Sequence, residues 1–187
     1  MKKRIYLYLC VFFMGVCIGA LSFSVLLEKT CGLENRIEET FLVGNQWGGQ
    51  ISMFICSLQY YGKKTVVFVL SCTNCYWKVL VGIFWVIQGM RIGIVTICVC
   101  KLFGIKGLAV LVGAFFPHEL VYEIVLLFES GSFPVCWKKA HGRYGNYGEK
   151  MLFVLGGIGK FVLLVVLVSF LEVWINLPIM EHVQNTF

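Results

Sequence analysis

The chain has 187 residues, of which 59% are hydrophobic and only 14% are charged. Soluble domains carry about 25% charged residues, so this composition excludes an ordinary soluble protein. It predicts an all-α, polytopic membrane protein in the cell membrane, because a bilayer admits helices whose backbone groups are bonded internally. The 16 Lys and Arg outnumber the 10 acidic residues, and they flank apolar runs, which is the pattern set by membrane orientation. No segment has the composition of a nucleic-acid-binding surface.

The first apolar run covers residues 5–27 and follows Lys2-Lys3-Arg4. It is longer than the roughly 7–15 residues of a signal-peptide core. We therefore predict a first transmembrane span at residues 5–27, with the amino terminus in the cytoplasm. Gly15 and Gly19 form a G-x-x-x-G pattern in this span, which lets two helices approach closely, and ordinary helix packing is its simplest interpretation.

Residues 28–64 form the longest polar stretch and are predicted to be an outer loop lying on the bilayer. Two apolar segments in it, residues 41–43 and 51–58, predict helices that lie on the membrane surface. The sequence NQWGGQ at residues 45–50 predicts a break between them.

Side chains of this outer loop supply candidate contacts. Glu34, Glu38 and Glu39 are candidates for contacts with a partner outside the cell. Cys31 and Cys56 share the loop, so a disulfide between them stays an open alternative.

The next apolar stretch, residues 65–100, is too long for one ordinary span and short for two. We predict a hairpin, with one span at residues 65–86, a turn near Gln88-Gly89 and a second span at residues 90–104. The basic excess of residues 133–150 favours it, because that loop should be cytoplasmic and an even number of spans must then precede it. In this hairpin, Arg91 lies near the cytoplasmic turn, where its side chain can snorkel to the membrane surface.

Residues 107–128 form a fourth predicted span, since a bilayer takes roughly 20 residues of helix. Four residues near its middle are polar or helix-breaking: Pro117, His118, Glu119 and Glu123. Glu119 and Glu123 are four apart and share one helix face, and Pro117 predicts a kink just before them. Such groups cannot face lipid, so the helix should lie inside a bundle, and Arg91 completes the candidate polar cluster.

The end of the chain supplies the last elements of the topology. Residues 129–150 are predicted to be a cytoplasmic loop and residues 151–174 a fifth span, which leaves the carboxyl terminus outside. The sequence thus predicts a single integral membrane domain over residues 1–187, with five spans.

Enzymatic patterns are incomplete in this sequence. His118-Glu119 begins like the H-E-x-x-H motif of zinc proteases, but Tyr122 stands where the second histidine is needed. His141 and His182 are predicted to lie on opposite sides of the membrane. Cys72-Thr-Asn-Cys75 has the spacing of a zinc ligand pair, but no second pair follows it. We expect no enzyme activity, no metal and no cofactor.

Four short patterns, in their order along the chain, resemble the stage II sporulation protein M family. They are Gln88-Gly-Met-Arg-Ile-Gly93, Phe103-Gly-Ile-Lys-Gly107, Phe116-Pro-His118 with a following acid, and Phe170-Leu-Glu-Val173. The family is similarly small and has five spans with the first outer loop longest. The positions that carry the resemblance are Gly89, Gly93, Gly104, Lys106, Gly107 and Glu172. This chain departs from the family at Tyr122, where the family often has an acid.

The resemblance implies a non-enzymatic membrane scaffold of sporulation engulfment or related envelope remodelling. Its implied partners are two cell-wall hydrolases, the stage II sporulation proteins D and P. The alternative hypothesis is a small transporter or permease-like subunit, because ionisable residues within spans also mark ion or substrate pathways. For the polar cluster itself, a satisfied packing network around Pro117 is the competing interpretation.

Overall fold

A computed structural model describes residues 2–29, 49–112, 116–142 and 147–176. These residues are helical apart from one short turn, with no strand among them, which confirms the all-α class. The described helices are α1 (Lys2–Lys29), α2 (Gly49–Thr73), α3 (Trp77–Val110), α4 (Phe116–Gly142) and α5 (Tyr147–Leu171). A π-helical turn, Glu172–Asn176, follows α5 directly. Among the described residues, three segments are long and apolar enough to cross a membrane: Arg4–Phe23, Trp77–Lys101 and Gly156–Ile175.

The turn between α2 and α3 lies at residues 74–76, so the predicted turn near Gln88-Gly89 is wrong. Asn74 shapes this turn, because its carbonyl oxygen accepts a hydrogen bond from the Trp77 amide at 3.3 Å and its Oδ1 accepts one from the Tyr76 amide at 3.0 Å. Asn side chains that bond the backbone two residues on are typical turn formers. Helix α3 then continues through Gln88-Gly89, which overturns the predicted helix boundaries of 65–86 and 90–104.

Two predicted loops are largely helical. Residues 51–58, predicted as a separate surface helix, belong to the continuous helix α2, which begins at Gly49. The predicted cytoplasmic loop at residues 129–150 is mostly helix as well, because α4 runs through Pro134 to Gly142. Residues 30–48, with Cys31 and the three glutamates proposed as contacts, lie outside the described residues.

Helix α3 is interrupted at Gly104, inside the family-like pattern at residues 103–107. Gly104 has a φ of 60° and a ψ of −140°, which glycine adopts without the steric cost that a Cβ imposes. At 1.5 Å per residue, an unbroken helix would carry Val110 about 28 Å beyond Arg91. Glu119 nevertheless contacts Arg91, so the chain turns back after Gly104.

Helix α4 begins at Phe116, which changes the role expected for Pro117. The predicted continuous helix over residues 107–128, kinked at Pro117, is wrong, because Pro117 lies in the first turn of α4. The first amides of a helix have no intrahelical partner, so proline is tolerated there without loss of a hydrogen bond.

Helices α1 and α3 run parallel and pack through glycines on both sides of their contact. Four glycines have the backbone of the facing helix so close that an added Cβ would overlap a carbonyl oxygen: Gly15, Gly19, Gly89 and Gly93. Gly15 faces Val86 and Gly19 faces Met90, so the numbering rises along both helices together. Arg4 lies over the Trp77 ring at the start of the same pair, at 5.6 Å from the ring centroid. The pattern of small residues is therefore a helix contact, as is common between membrane helices.

An aromatic cluster joins the remaining helices. The Phe68 ring of α2 lies 5.4 Å from the Phe84 ring of α3 and 5.9 Å from the Phe161 ring of α5, measured between centroids. Phe133 of α4 contacts Phe161 at 5.3 Å. Phe68 is one helical turn from Lys64, so this cluster fixes the helices around the polar site described below.

The glycine contact predicts opposite effects for two similar substitutions in α3. Gly89→Ala should destabilise the protein by about 1–3 kcal/mol, because its methyl group meets the rigid backbone of α1. Gly82→Ala is the matched control, since nothing lies within 4 Å of its added Cβ and alanine favours a helix by about 0.5–1 kcal/mol. Thermal unfolding in detergent, followed by tryptophan fluorescence, compares the two. Equal midpoints would contradict the close contact.

Candidate functional site

The candidate site is an ion cluster buried between α2, α3 and α4. Lys64 of α2 lies between two carboxylates of α4, with its Nζ at 2.6 Å from Glu119 Oε1 and at 2.6 Å from Glu123 Oε1. The side chains of Lys64, Glu119 and Glu123 are only 8%, 2% and 6% exposed. The predicted shared face of the two glutamates is confirmed, since one ammonium group reaches both.

Arg91 of α3 is the second cation of this cluster. Its guanidinium forms an ion pair with Glu119 and lies 4.0 Å from Glu123 Oε1. The prediction that Arg91 joins the two glutamates is confirmed, but its predicted place beside a cytoplasmic turn is wrong. Two cations and two carboxylates from three helices balance their charges inside the protein, as buried charges require.

Glu119 lies at the amino-terminal end of its helix. Glu119 lies in the first turn of α4, where the free amides and the helix dipole stabilise negative charge. The Pro117 ring fixes the backbone of that turn and so helps to orient Glu119.

Tyrosines surround the charges and limit their contact with water. Tyr61 donates a hydrogen bond to Glu119 Oε2 at 2.8 Å. The Lys64 Nζ lies 4.8 Å from the centroid of the Tyr122 ring, and the Arg91 Cζ lies 5.2 Å from that of Tyr60. Aromatic faces attract cations, and the attraction grows where water is excluded.

A second polar contact joins α5 to α2 and α4. Ser57 of α2 donates a hydrogen bond to Glu172, in the π-helical turn after α5. His118, which is 2% exposed, has its Nε2 at 4.0 Å from Glu172 Oε1. Of the predicted polar residues, His118 therefore faces Glu172, whereas Glu119, Glu123 and Arg91 meet one another.

The remaining family-like positions shape the backbone instead of lining the cluster. Gly89 and Gly93 lie in the α1–α3 contact, Gly104 interrupts α3, and Gly107 is buried. The Lys106 side chain lies outside what the structure describes.

Sequence reasoning missed the residues that α2 contributes. Lys64 stands beside Lys63 next to a polar region, and both were assigned to the outer loop. A signal was nevertheless present, because one buried face recurs every three or four residues along α2: Ser57, Tyr61, Lys64, Phe68 and Cys72. That spacing is the helical period, and it continues through the lysine pair.

Several atoms near the cluster keep unused hydrogen-bonding capacity. Gln88 Oε1, Arg91 Nε and Glu123 Oε2 are buried and lack a hydrogen-bond partner among the described residues. Each such atom costs about 1–3 kcal/mol unless a further group reaches it. Within the described ranges, no three His, Cys, Asp or Glu side chains are grouped to hold a metal ion.

Comparisons with protein-family models, with curated proteins and with solved structures find no match to this chain. The geometry of the ion cluster is therefore the main support for a function.

The ion cluster predicts unequal roles for two adjacent lysines. Lys64→Met should destabilise the protein by about 3–5 kcal/mol, because it leaves Glu119 and Glu123 buried with one cation fewer. Lys63→Met is the matched control and should leave stability unchanged, since Lys63 is exposed and outside the cluster. Adding Glu123→Gln to Lys64→Met should restore part of the loss.

The measurement for these variants is thermal unfolding of detergent-purified protein, together with abundance in membranes. Equal loss of stability at positions 63 and 64 would contradict the assigned ion pairs.

Proposed function

We propose that this protein is a non-enzymatic membrane scaffold whose helices are held by the buried ion cluster. The observation that carries the proposal is Lys64 between Glu119 and Glu123 at 2.6 Å from each. Both carboxylates are occupied by cations of the same protein, which suits a fixed helix arrangement better than a site that exchanges charge. Buried ionic groups of this kind can specify one arrangement of helices at some cost in stability.

The scaffold crosses the membrane five times in this proposal. Helices α1 and α3 run parallel, so α2 must return across the same depth between them. Helix α2 has 25 residues, which is enough for a bilayer crossing of roughly 20 residues. With α4 and α5 also crossing, the basic start of the chain and the basic α4–α5 connection fall on one side, which the charge rule assigns to the cytoplasm.

This orientation predicts which cysteines are accessible from outside the cell. Cys75, exposed in the α2–α3 turn, and Cys136 should resist an impermeant thiol reagent in intact cells, whereas Cys31 should be labelled. Single-cysteine variants test each position, and lysed cells provide the control in which all three react. Labelling of Cys75 in intact cells would contradict the orientation.

The resemblance to the stage II sporulation protein M family supports the kind of partner. We propose that the scaffold anchors or recruits cell-wall hydrolases, resembling the stage II sporulation proteins D and P, during engulfment or related envelope remodelling. Such enzymes act outside the membrane, so their contacts would involve the outer loop and the membrane-spanning helices.

Affinity purification in mild detergent, with mass spectrometry of co-purifying proteins, tests this function. The tagged full chain should recover cell-wall hydrolases above the level found with an unrelated polytopic membrane protein. Recovery of an ATPase in their place, or of nothing above that control, would contradict the scaffold.

A small transporter or permease-like subunit is the second candidate. The observation that favours it is the unused capacity of Glu123 Oε2 and Arg91 Nε inside the cluster. An ion or proton pathway needs the charge of Glu123, so Glu123→Gln would then abolish function in a folded, abundant protein. The scaffold predicts instead that the same variant functions, because glutamine keeps the shape and much of the hydrogen bonding.

A further inference from the structure

A groove of about 580 Å³ runs between α2 and α3 and borders the ion cluster at Lys64. Its walls are largely apolar and include Val67, Leu80, Ile83 and Ile87. Polar side chains also line it, among them Gln59, Lys63, Lys64, Ser71 and Gln88.

Lys63 differs from its neighbour Lys64 in having no partner among the described residues. Both lysines line the groove, but successive residues point about 100° apart around a helix, so Lys64 reaches the carboxylates of the ion cluster and Lys63 does not. Lys63 is exposed and forms no ion pair or hydrogen bond with the described residues. Gln88 adds a second unused group, since its Oε1 is buried and lacks a hydrogen-bond partner in that same part of the chain.

Gln88 lies near the middle of a candidate span, and Lys63 of α2 lies beside residues near the middle of two such spans. Gln88 is the twelfth residue of the 25-residue segment Trp77–Lys101. On the other side of α2, Thr65 lines a cleft with Val165, which is the tenth residue of the 20-residue segment Gly156–Ile175. Helices α3 and α5 therefore both place Lys63 near the middle of the hydrocarbon core, which is about 30 Å thick.

A lysine at this depth needs a counter-charge. Charged side chains within spans are rare, face protein or a water-filled cavity, and pair with one another. Residues 63 and 88 are too far from either surface for a four-carbon side chain to carry its charge to the lipid headgroups.

We propose that this groove docks a transmembrane helix of a partner protein, and that a carboxylate near the middle of that helix pairs with Lys63. The inference rests on the proposed scaffold function and names the chemistry by which the scaffold holds its partner. An apolar helix face fills the groove, the carboxylate neutralises Lys63, and a donor group nearby on the partner helix satisfies Gln88 Oε1.

Two other occupants fit the observations less well. A phospholipid places its charged headgroup at the membrane surface, not at half depth. A second copy of this chain fits less well, because the described carboxylates of α4 and the turn after α5 already accept hydrogen bonds from their own chain: Glu119, Glu123, Glu129 and Glu172.

The test uses the full chain reconstituted in phosphatidylcholine vesicles and a synthetic transmembrane peptide rich in Leu and Ala. One peptide carries a single central Asp, and a second carries Asn at the same place. Energy transfer from the protein's tryptophans to a dansyl group on the peptide reports association. We expect the Asp peptide to bind about tenfold more tightly than the Asn peptide, in keeping with the strength of polar contacts between membrane helices.

Variants assign this preference to Lys63. Lys63→Met should remove it, Lys63→Arg should retain it, and Lys63→Glu should instead prefer a peptide with a central Lys. Lys78→Met is the control, since Lys78 is an exposed lysine of α3 that does not line the groove. Each variant is first checked for wild-type thermal unfolding, so that a lost preference is not lost folding.

Three results would overturn the proposal. The first is equal binding of the Asp and Asn peptides by the wild-type chain. The second is Lys63-dependent binding of phosphatidylglycerol in place of the peptide, which would make the groove a lipid site. The third is Lys63-dependent self-association of the chain, which would make it a contact between copies.

The peptide-binding test and the co-purification test can fail independently, so they distinguish the docking proposal from the scaffold function. If cell-wall hydrolases co-purify but the peptides bind equally, the scaffold stands and its contact lies elsewhere. If the Asp preference holds but no hydrolase is recovered, the groove is a docking site of a protein with another function.

Discussion

The architecture depends on one buried ammonium group, that of Lys64. It pairs with two carboxylates of α4 at once, and Arg91 of α3 pairs with one of them. Three helices therefore meet at a buried site where each charge needs an opposite charge beside it. Apolar contacts fill the rest of the bundle, but they have few directional requirements. The ion cluster has strict directional requirements, because its carboxylate oxygens need hydrogen-bond donors in a site that water does not reach easily. It therefore sets which faces of α2, α3 and α4 point inward.

Backbone geometry provides a second constraint, independent of charge. The glycines of α1 and α3 let two backbones approach where any side chain would prevent contact, and they fix the parallel arrangement of these helices. The chain turns back after Gly104, since the start of α4 lies at the level of Arg91. Positions that resemble one family in sequence thus act here mainly by permitting close approach or an unusual turn.

The sequence was informative where one local pattern decides the structure. The composition predicted the helical class, and the four-residue spacing of Glu119 and Glu123 predicted their shared face. Boundaries were harder, because Asn74 forms a turn inside an almost continuous apolar stretch, while Gln88-Gly89 resembles a turn but lies within a helix contact. Lys64 was missed for a related reason: a charge beside a polar region indicates a loop until its partners are known. Those partners come from another helix, and no local pattern contains them.

The separation of these partners along the chain has a consequence for biosynthesis. Lys64 precedes Glu119 by 55 residues, so the ribosome synthesises α2 before the glutamate that pairs with its lysine. Helix α1 can enter a bilayer on its own apolar character, but α2 carries an uncompensated charge until α4 emerges. In the proposed five-span arrangement, stable insertion of α2 is thus tied to synthesis of the later helices, and a chain truncated before α4 would lack the partners of Lys64.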